Sequence, residues 1–126
     1  MSTQVSTIPT TLSIDLKKYR IRIHKSTLRL LGDPQYIQLL VNPESMAVAI
    51  RAATSAFNND QTHKISQKQV QSDNSVELYS RSFIMKLCTV ADVLDNGSTY
   101  HMHGEVHPAQ NLAVFSLKAL QRIDSL

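Results

Sequence analysis

The chain has no tryptophan, a single cysteine and only three glycines among its 126 residues. A lone Cys88 excludes an internal disulfide and any zinc framework built from cysteines, and it suits a reducing compartment. Three glycines are too few for a glycine-rich phosphate cradle of the usual kind. No apolar run approaches the roughly 18 residues that span a bilayer. The N-terminal MSTQVSTIPTTLS carries neither a charged leader nor an apolar core, so it does not read as a secretory signal. No membrane partner is expected, and the chain reads as soluble and cytoplasmic.

What is present is the composition of an ordinary globular protein, with 42% hydrophobic and 18% charged residues. The length suits one compact domain spanning 1–126, and with three Phe and four Tyr the core is mostly aliphatic. The thirteen Lys and Arg exceed the ten Asp and Glu by three. Their placement says more than their number. Lys17, Lys18, Arg20, Arg22, Lys25 and Arg29 crowd one short stretch, and no acidic residue lies between Asp15 and Asp33.

Local patterns divide the chain. Residues 1–10, Ser/Thr-rich with Pro9, read as a flexible tail. Thr11 to Asp15 suits a short strand, and from Tyr19 to His24 apolar and polar residues alternate as in a half-buried strand. Ser26 is placed to cap a short helix carrying Leu28 and Leu31 on one face, which Gly32 and Asp33-Pro34 end. Tyr36 to Val41 and Met46 to Ala52 read as strands around an Asn42-Pro43-Glu44-Ser45 turn. Thr54 to Gln61 reads as a loop, His63 to Val70 as an edge strand, and Gln71 to Asn74 as a turn before a strand at Ser75 to Tyr79. Helical spacing from Arg81 to Leu94 predicts the longest helix; strands follow at Tyr100 to Val106 and Asn111 to Leu117, then a turn of helix over Lys118 to Ile123.

The two halves share an order and some letters. Lys25-Ser26 followed by Leu28 and Leu31 matches Arg81-Ser82 followed by Ile84 and Leu87, and LVNPESMAVAI matches EVHPAQNLAVFSL. Halves 11–53 and 62–123 therefore read as an internal repeat of a βαββ-like unit, each burying the apolar face of the other. The expected fold class is α+β: a mostly antiparallel sheet with two helices packed on it. Within Tyr19 to Ile50, Ile23, Leu28, Arg29, Leu31 and Gly32 form a strand, a short helix and a closing glycine before a hairpin. This stretch resembles the AbrB/MraZ-type swapped-hairpin DNA-binding domains, which implies DNA binding. His24 stands where those domains usually have proline, no Gly-Arg precedes the strand, and the second half departs from the pattern. The same pattern is also consistent with another duplicated α+β arrangement, such as the TATA-binding-protein fold.

Arg20, Arg22 and His24 share one side of a strand, with Lys17, Lys18, Lys25 and Arg29 nearby, and clustered cations are what phosphates require. The alternative is a solvent-facing strand merely covered in charge. No aromatic is expected on that face, which disfavours stacking on single strands. In YHMHGEVHP, His101, His103, Glu105 and His107 alternate on one face; His101 and His103 are the residues that would chelate a metal, although none is assigned and no cofactor is expected. Cys88 falls on the apolar stripe of the long helix, and no nucleophile or acid/base frame is recognisable. A non-enzyme is expected. The leading reading is a nucleic-acid-binding or regulatory module acting on duplex DNA through Lys17, Lys18, Arg20, Arg22, Lys25 and Arg29. The other is an assembly module that forms a homodimer through a free sheet edge.

Overall fold

A computed structural model describes residues 7–54, 62–66, 69–70, 74–91, 94 and 97–123. In chain order the elements are β1 (Ile8–Asp15), β2 (Arg20–His24), α1 (Lys25–Leu30), β3 (Tyr36–Asn42), β4 (Ala47–Ala53), β5 (Thr62–Lys64), β6 (Ser75–Tyr79), α2 (Arg81–Val90), β7 (Thr99–His107) and β8 (Leu112–Ile123). A single 3-10 turn, Pro108–Gln110, joins the last two strands. All eight strands lie in one sheet, in the order β5-β3-β4-β8-β7-β1-β2-β6, and neighbours pair antiparallel. The sheet curls until its ends nearly meet. Val70 bridges to Val76 in β6, and the Ile65 N–H donates to the Gln35 carbonyl at 2.8 Å, just before β3.

The expected α+β arrangement of two βαββ-like halves with helices laid on a sheet is therefore corrected. The architecture is a nearly closed antiparallel barrel with two short helices. Alternation is the reason. Ile21 and Ile23, Ile37 and Leu39, Val48 and Ile50, and Ala113, Phe115 and Leu117 all point to one interior and are at most 3% exposed. Helices of six and ten residues are too short to make a second layer. Instead they add Leu28 and Leu31, and Phe83, Ile84 and Leu87, to the same core.

Several local expectations shift with this. Strand pairing begins at Ile8, opposite Val106, inside the stretch expected as a tail. α1 starts at Lys25 with His24 as its N-cap and no side-chain cap, so Ser26 does not cap it. Gly32, at φ 90°, takes the left-handed turn that ends it. α2 is capped by Ser80, whose Oγ accepts the Phe83 N–H at 3.3 Å, and it stops at Val90 rather than Leu94. Lys118 to Ile123, expected as helix, is the end of β8, where Leu120 to Ile123 pair with Met102 to Thr99. Most of the Thr54–Gln61 loop and of the Gln71–Asn74 turn lies outside the described residues.

β8 is long because it pairs twice, with β4 over Leu112 to Ser116 and with β7 over Leu112 to Phe115 and again over Leu120 to Ile123. The β7 pairing slips register between Met102 and Gly104. At Gly104 a Cβ would fall against the Val114 carbonyl and 2.8 Å from the Phe115 Cα, so only glycine lets the two backbones approach there.

The pairing has an approximate two-fold order. Exchanging β1 with β5, β2 with β6, β3 with β7 and β4 with β8 reproduces the strand order read as a ring. Backbone details follow the same exchange. The Lys25 N–H donates to the Asn74 carbonyl and the Ser80 N–H to the Tyr19 carbonyl. Likewise the Ala52 N–H donates to Asn111 and the Leu117 N–H to Met46. Tyr19 and Asn74 have φ of 53° and 61°, and Met46 and Asn111 both have 53°. Under the exchange two pairs map onto themselves: Ala49 opposite Val114 between β4 and β8, and Arg22 opposite Glu77 between β2 and β6.

Candidate nucleic-acid interface

On the outside of the barrel, the register of four strand pairs lines polar residues up in rows. One row runs Ile123, Thr99, Asp15, Arg20, Tyr79 across β8, β7, β1, β2 and β6. The next runs Gln121, His101, Ser13, Arg22, Glu77. Because β2 buries Ile21 and Ile23 inward, Arg20 and Arg22 must face out, as alternation predicts.

They do not face out alone. Arg20 Nη2 donates to Asp15 Oδ2 at 3.1 Å, and Arg20 Nη1 to Glu77 Oε2 at 3.2 Å. Arg22 Nη2 donates to Glu77 Oε1 at 2.7 Å. Asp15 Oδ1 also accepts the backbone N–H groups of Lys17 and Lys18, at 3.0 and 3.2 Å, which shapes the turn between β1 and β2. Burial by itself would raise the Glu77 pKa, but the hydrogen bond from Arg22 and the charges of Arg20 and Arg22 outweigh it and hold the carboxyl below its ordinary value. For Arg20, burial acts to lower the pKa, and Glu77 and Asp15 more than offset it. Two guanidinium groups and two carboxylates thus cancel in the middle of the face that the sequence offers as cationic.

The six predicted cations consequently separate into three sets. Arg20 and Arg22 are ion-paired; Lys17 and Lys18 stand exposed in the β1–β2 turn; Lys25 and Arg29 lie on α1 at the other end of β2. Among the described residues no ion pair involves Lys17, Lys18, Lys25 or Arg29. Lys25 and Arg29 border a groove of about 530 Å³ that Asp33 and Gln35 share.

Beside Lys17 and Lys18 is a group that the sequence reading did not include. Tyr19 is 36% exposed and Tyr79 is 63% exposed. Arg81, in the first turn of α2, holds its guanidinium 5.4 Å from the centre of the Tyr19 ring. The expectation that the cationic face lacks an aromatic is corrected, because Tyr79 pairs directly with Arg20. The alternation in SVELY puts Glu77 and Tyr79 on one face, but nothing local says that this face continues that of β2.

His101 and His103 share the outer face of β7 as expected, and His103 Nε2 meets Gln121 Oε1 at 3.2 Å. The His101 pKa is lowered, first by burial and then by the neighbouring His103 and His24. Among the described residues no three His, Cys, Asp or Glu side chains are grouped to hold a metal ion. The Cys88 thiol is half-buried in α2, and burial raises its pKa, which disfavours a thiolate. No helix among the described residues is long and apolar enough to cross a membrane. Comparison of the chain with protein-family models, with curated proteins and with solved structures finds no match.

Proposed function

We propose that this protein is a small nucleic-acid-binding module, built from two copies of a strand-strand-helix-strand-strand unit, whose contact surface is the β1–β2 turn and the start of α2. One observation carries the reading: the exposed rings of Tyr19 and Tyr79 stand among Lys17, Lys18 and Arg81. Cations bind phosphate without regard to sequence, and exposed rings stack on bases, so the combination suits a polyanion that also carries planar faces. Arg20 and Arg22 serve this surface as its frame. Locked to Asp15 and Glu77, they fix β2 and the turn rather than meet phosphate themselves.

The test is fluorescence anisotropy with labelled single-stranded and duplex DNA at low and at physiological salt. Lys17→Ala/Lys18→Ala is expected to weaken binding to every sequence and to reduce the salt slope by about 1–2. Tyr79→Ala is expected to cost about 1–3 kcal/mol on single strands, the worth of one stacked base, and to leave the salt slope alone. Absence of binding to either form at low salt would overturn the reading.

A second reading, an assembly module, is favoured by the opposite side of the barrel. There Leu40, Ala47, Ala49 and Val114 line an outward depression of about 490 Å³. With the sheet ends bridged through Val70 and Ile65, this face rather than a free edge would be the contact. Sedimentation equilibrium decides it: a dimer that Ala49→Arg dissociates favours assembly, and a monomer at all concentrations excludes it.

A further inference from the structure

The two rows enclose a pocket of about 160 Å³, whose polar lining is Ser13, Asp15, Arg20, Arg22, Thr99 and His101 and whose apolar lining is Ile14 and Ile123. It is too small for a drug-sized ligand, which needs about 300 Å³ or more. Its charged wall is internally satisfied, since Asp15 and Glu77 hold both arginines. The Ser13 and Thr99 hydroxyls and the His101 ring, by contrast, have no side-chain hydrogen-bond partner among the described residues, and all three point outward beside that wall. Arginines already engaged by Asp15 and by Glu77 behind the lining, beside unused donors and acceptors, suit an uncharged, hydrogen-bonding group better than a phosphate.

What surrounds the pocket narrows the class further. Asp15, which lines the pocket, accepts the backbone N–H groups of Lys17 and Lys18, so two exposed lysines follow directly on from the pocket wall. Tyr79 ends the same row as Thr99, Asp15 and Arg20, and offers its exposed ring to a neighbouring base. The geometry points to this pocket as a base-reading site that takes the hydrogen-bonding edge of one unpaired nucleobase. Ser13, Thr99 and His101 are its reading groups, and the Asp15–Arg20–Glu77–Arg22 network is its rigid wall. This rests on the nucleic-acid reading and deepens it: the polymer bound is single-stranded at the site, and one position in it is selected by base.

Recognition of this kind depends on which donor and acceptor each side chain presents, so it must discriminate among bases where stacking and phosphate contacts do not. The experiment compares labelled oligo-dA, oligo-dC and oligo-dT by fluorescence anisotropy at low salt. The wild-type chain is measured against Ser13→Ala/Thr99→Val, which removes both hydroxyls and keeps the strand shape. The expected result is a preference of about tenfold or more between the best and worst oligonucleotide. In the variant that preference collapses toward unity with the salt slope unchanged. Equal binding of all three by the wild type, or an unchanged preference in the variant, overturns the base-reading site and leaves nucleic-acid binding standing. Failure of all three to bind overturns the base-reading site, and if duplex DNA does not bind either, the nucleic-acid reading falls with it. If the double variant does not fold, His101→Gln takes its place under the same outcomes.

Discussion

Ala49 opposite Val114 and Arg22 opposite Glu77 are the two places where the exchange maps a residue pair onto itself, and they carry opposite chemistry. Each pair sits where the two-fold exchange maps a strand pair onto itself, β4 with β8 and β2 with β6, and each points out of the barrel. One is two small apolar side chains; the other is an ion pair at 2.7 Å joined to Arg20 and Asp15. At Ala49 and Val114 the strands pair without any charge. Arg22 and Glu77 are related to each other by the exchange and yet carry opposite charges, whereas Ala49 and Val114 are related in the same way and are both apolar; the interface is therefore sought on the Arg22 side.

The comparison can be broken most severely on the apolar side. Gly104 lets β7 pass the Val114 carbonyl and the Phe115 Cα, and no side chain can rotate away from two backbone groups. Gly104→Ala is expected to destabilise the protein by about 1–3 kcal/mol, toward the upper end, because strand separation rather than a rotamer change must absorb the methyl. Urea denaturation measures it. A loss under about 0.5 kcal/mol, the range of an ordinary surface substitution, would mean the strands part freely at the register slip.

The next largest effect belongs to the charged side. Glu77→Gln leaves two arginines without their shared carboxylate, and Glu77 is only 10% exposed. Arg20 and Arg22 keep partial access to water, at 23% and 36%, which holds the expected cost near 1–3 kcal/mol rather than the 3–5 of a fully buried pair. Its pH dependence has a definite sign. The folded-state pKa of Glu77 is depressed below 4.5, so its stabilisation is present above that value and is lost as pH falls through the folded pKa. The gap in stability between wild type and Glu77→Gln should therefore be full at neutral pH and narrow below about pH 4.5. A gap that stays constant from pH 7 to 3 would show that Glu77 acts through shape and not charge.

These two sides also differ in how far they could be read from the sequence. The segment from Arg20 to Ala53 announces itself: alternation at Ile21 and Ile23, Gly32 and Pro34 to stop the helix, and Asn42 to turn the hairpin are all local signals. Ring closure is not local. It depends on β1 lying between β7 and β2, and on β6 pairing with β2 across more than fifty residues, and strand pairs of that separation are chosen by register and burial rather than by any nearby letter. Lys118 to Ile123 shows the same override, since good helix formers there become strand once Met102 to Thr99 present a partner edge. The site was half legible for the same reason. Arg20 and Arg22 stand out in the sequence, whereas Glu77, which neutralises both, and Tyr79, which supplies the exposed ring, come from a strand in the other half of the chain.

The smallest expected effect sharpens the comparison most directly. Installing Ala49→Arg together with Val114→Glu copies the charged pair onto the apolar side, in the same antiparallel register and facing outward. There the new pair lacks the second arginine that helps to hold Glu77, and the carboxylate introduced at position 114 would face Glu105 of β7 as a like charge. A double-mutant cycle from urea denaturation should give a coupling of only about 0.2–1 kcal/mol, as for an exposed pair. The corresponding cycle through Arg22→Ala and Glu77→Ala should exceed it, because Glu77 is nearly buried and accepts from two guanidinium groups at once. Equal couplings on the two sides would mean that the network adds nothing beyond its central pair. In that case the rigidity of the pocket wall at Asp15, Arg20 and Arg22 would have to come from the strands alone.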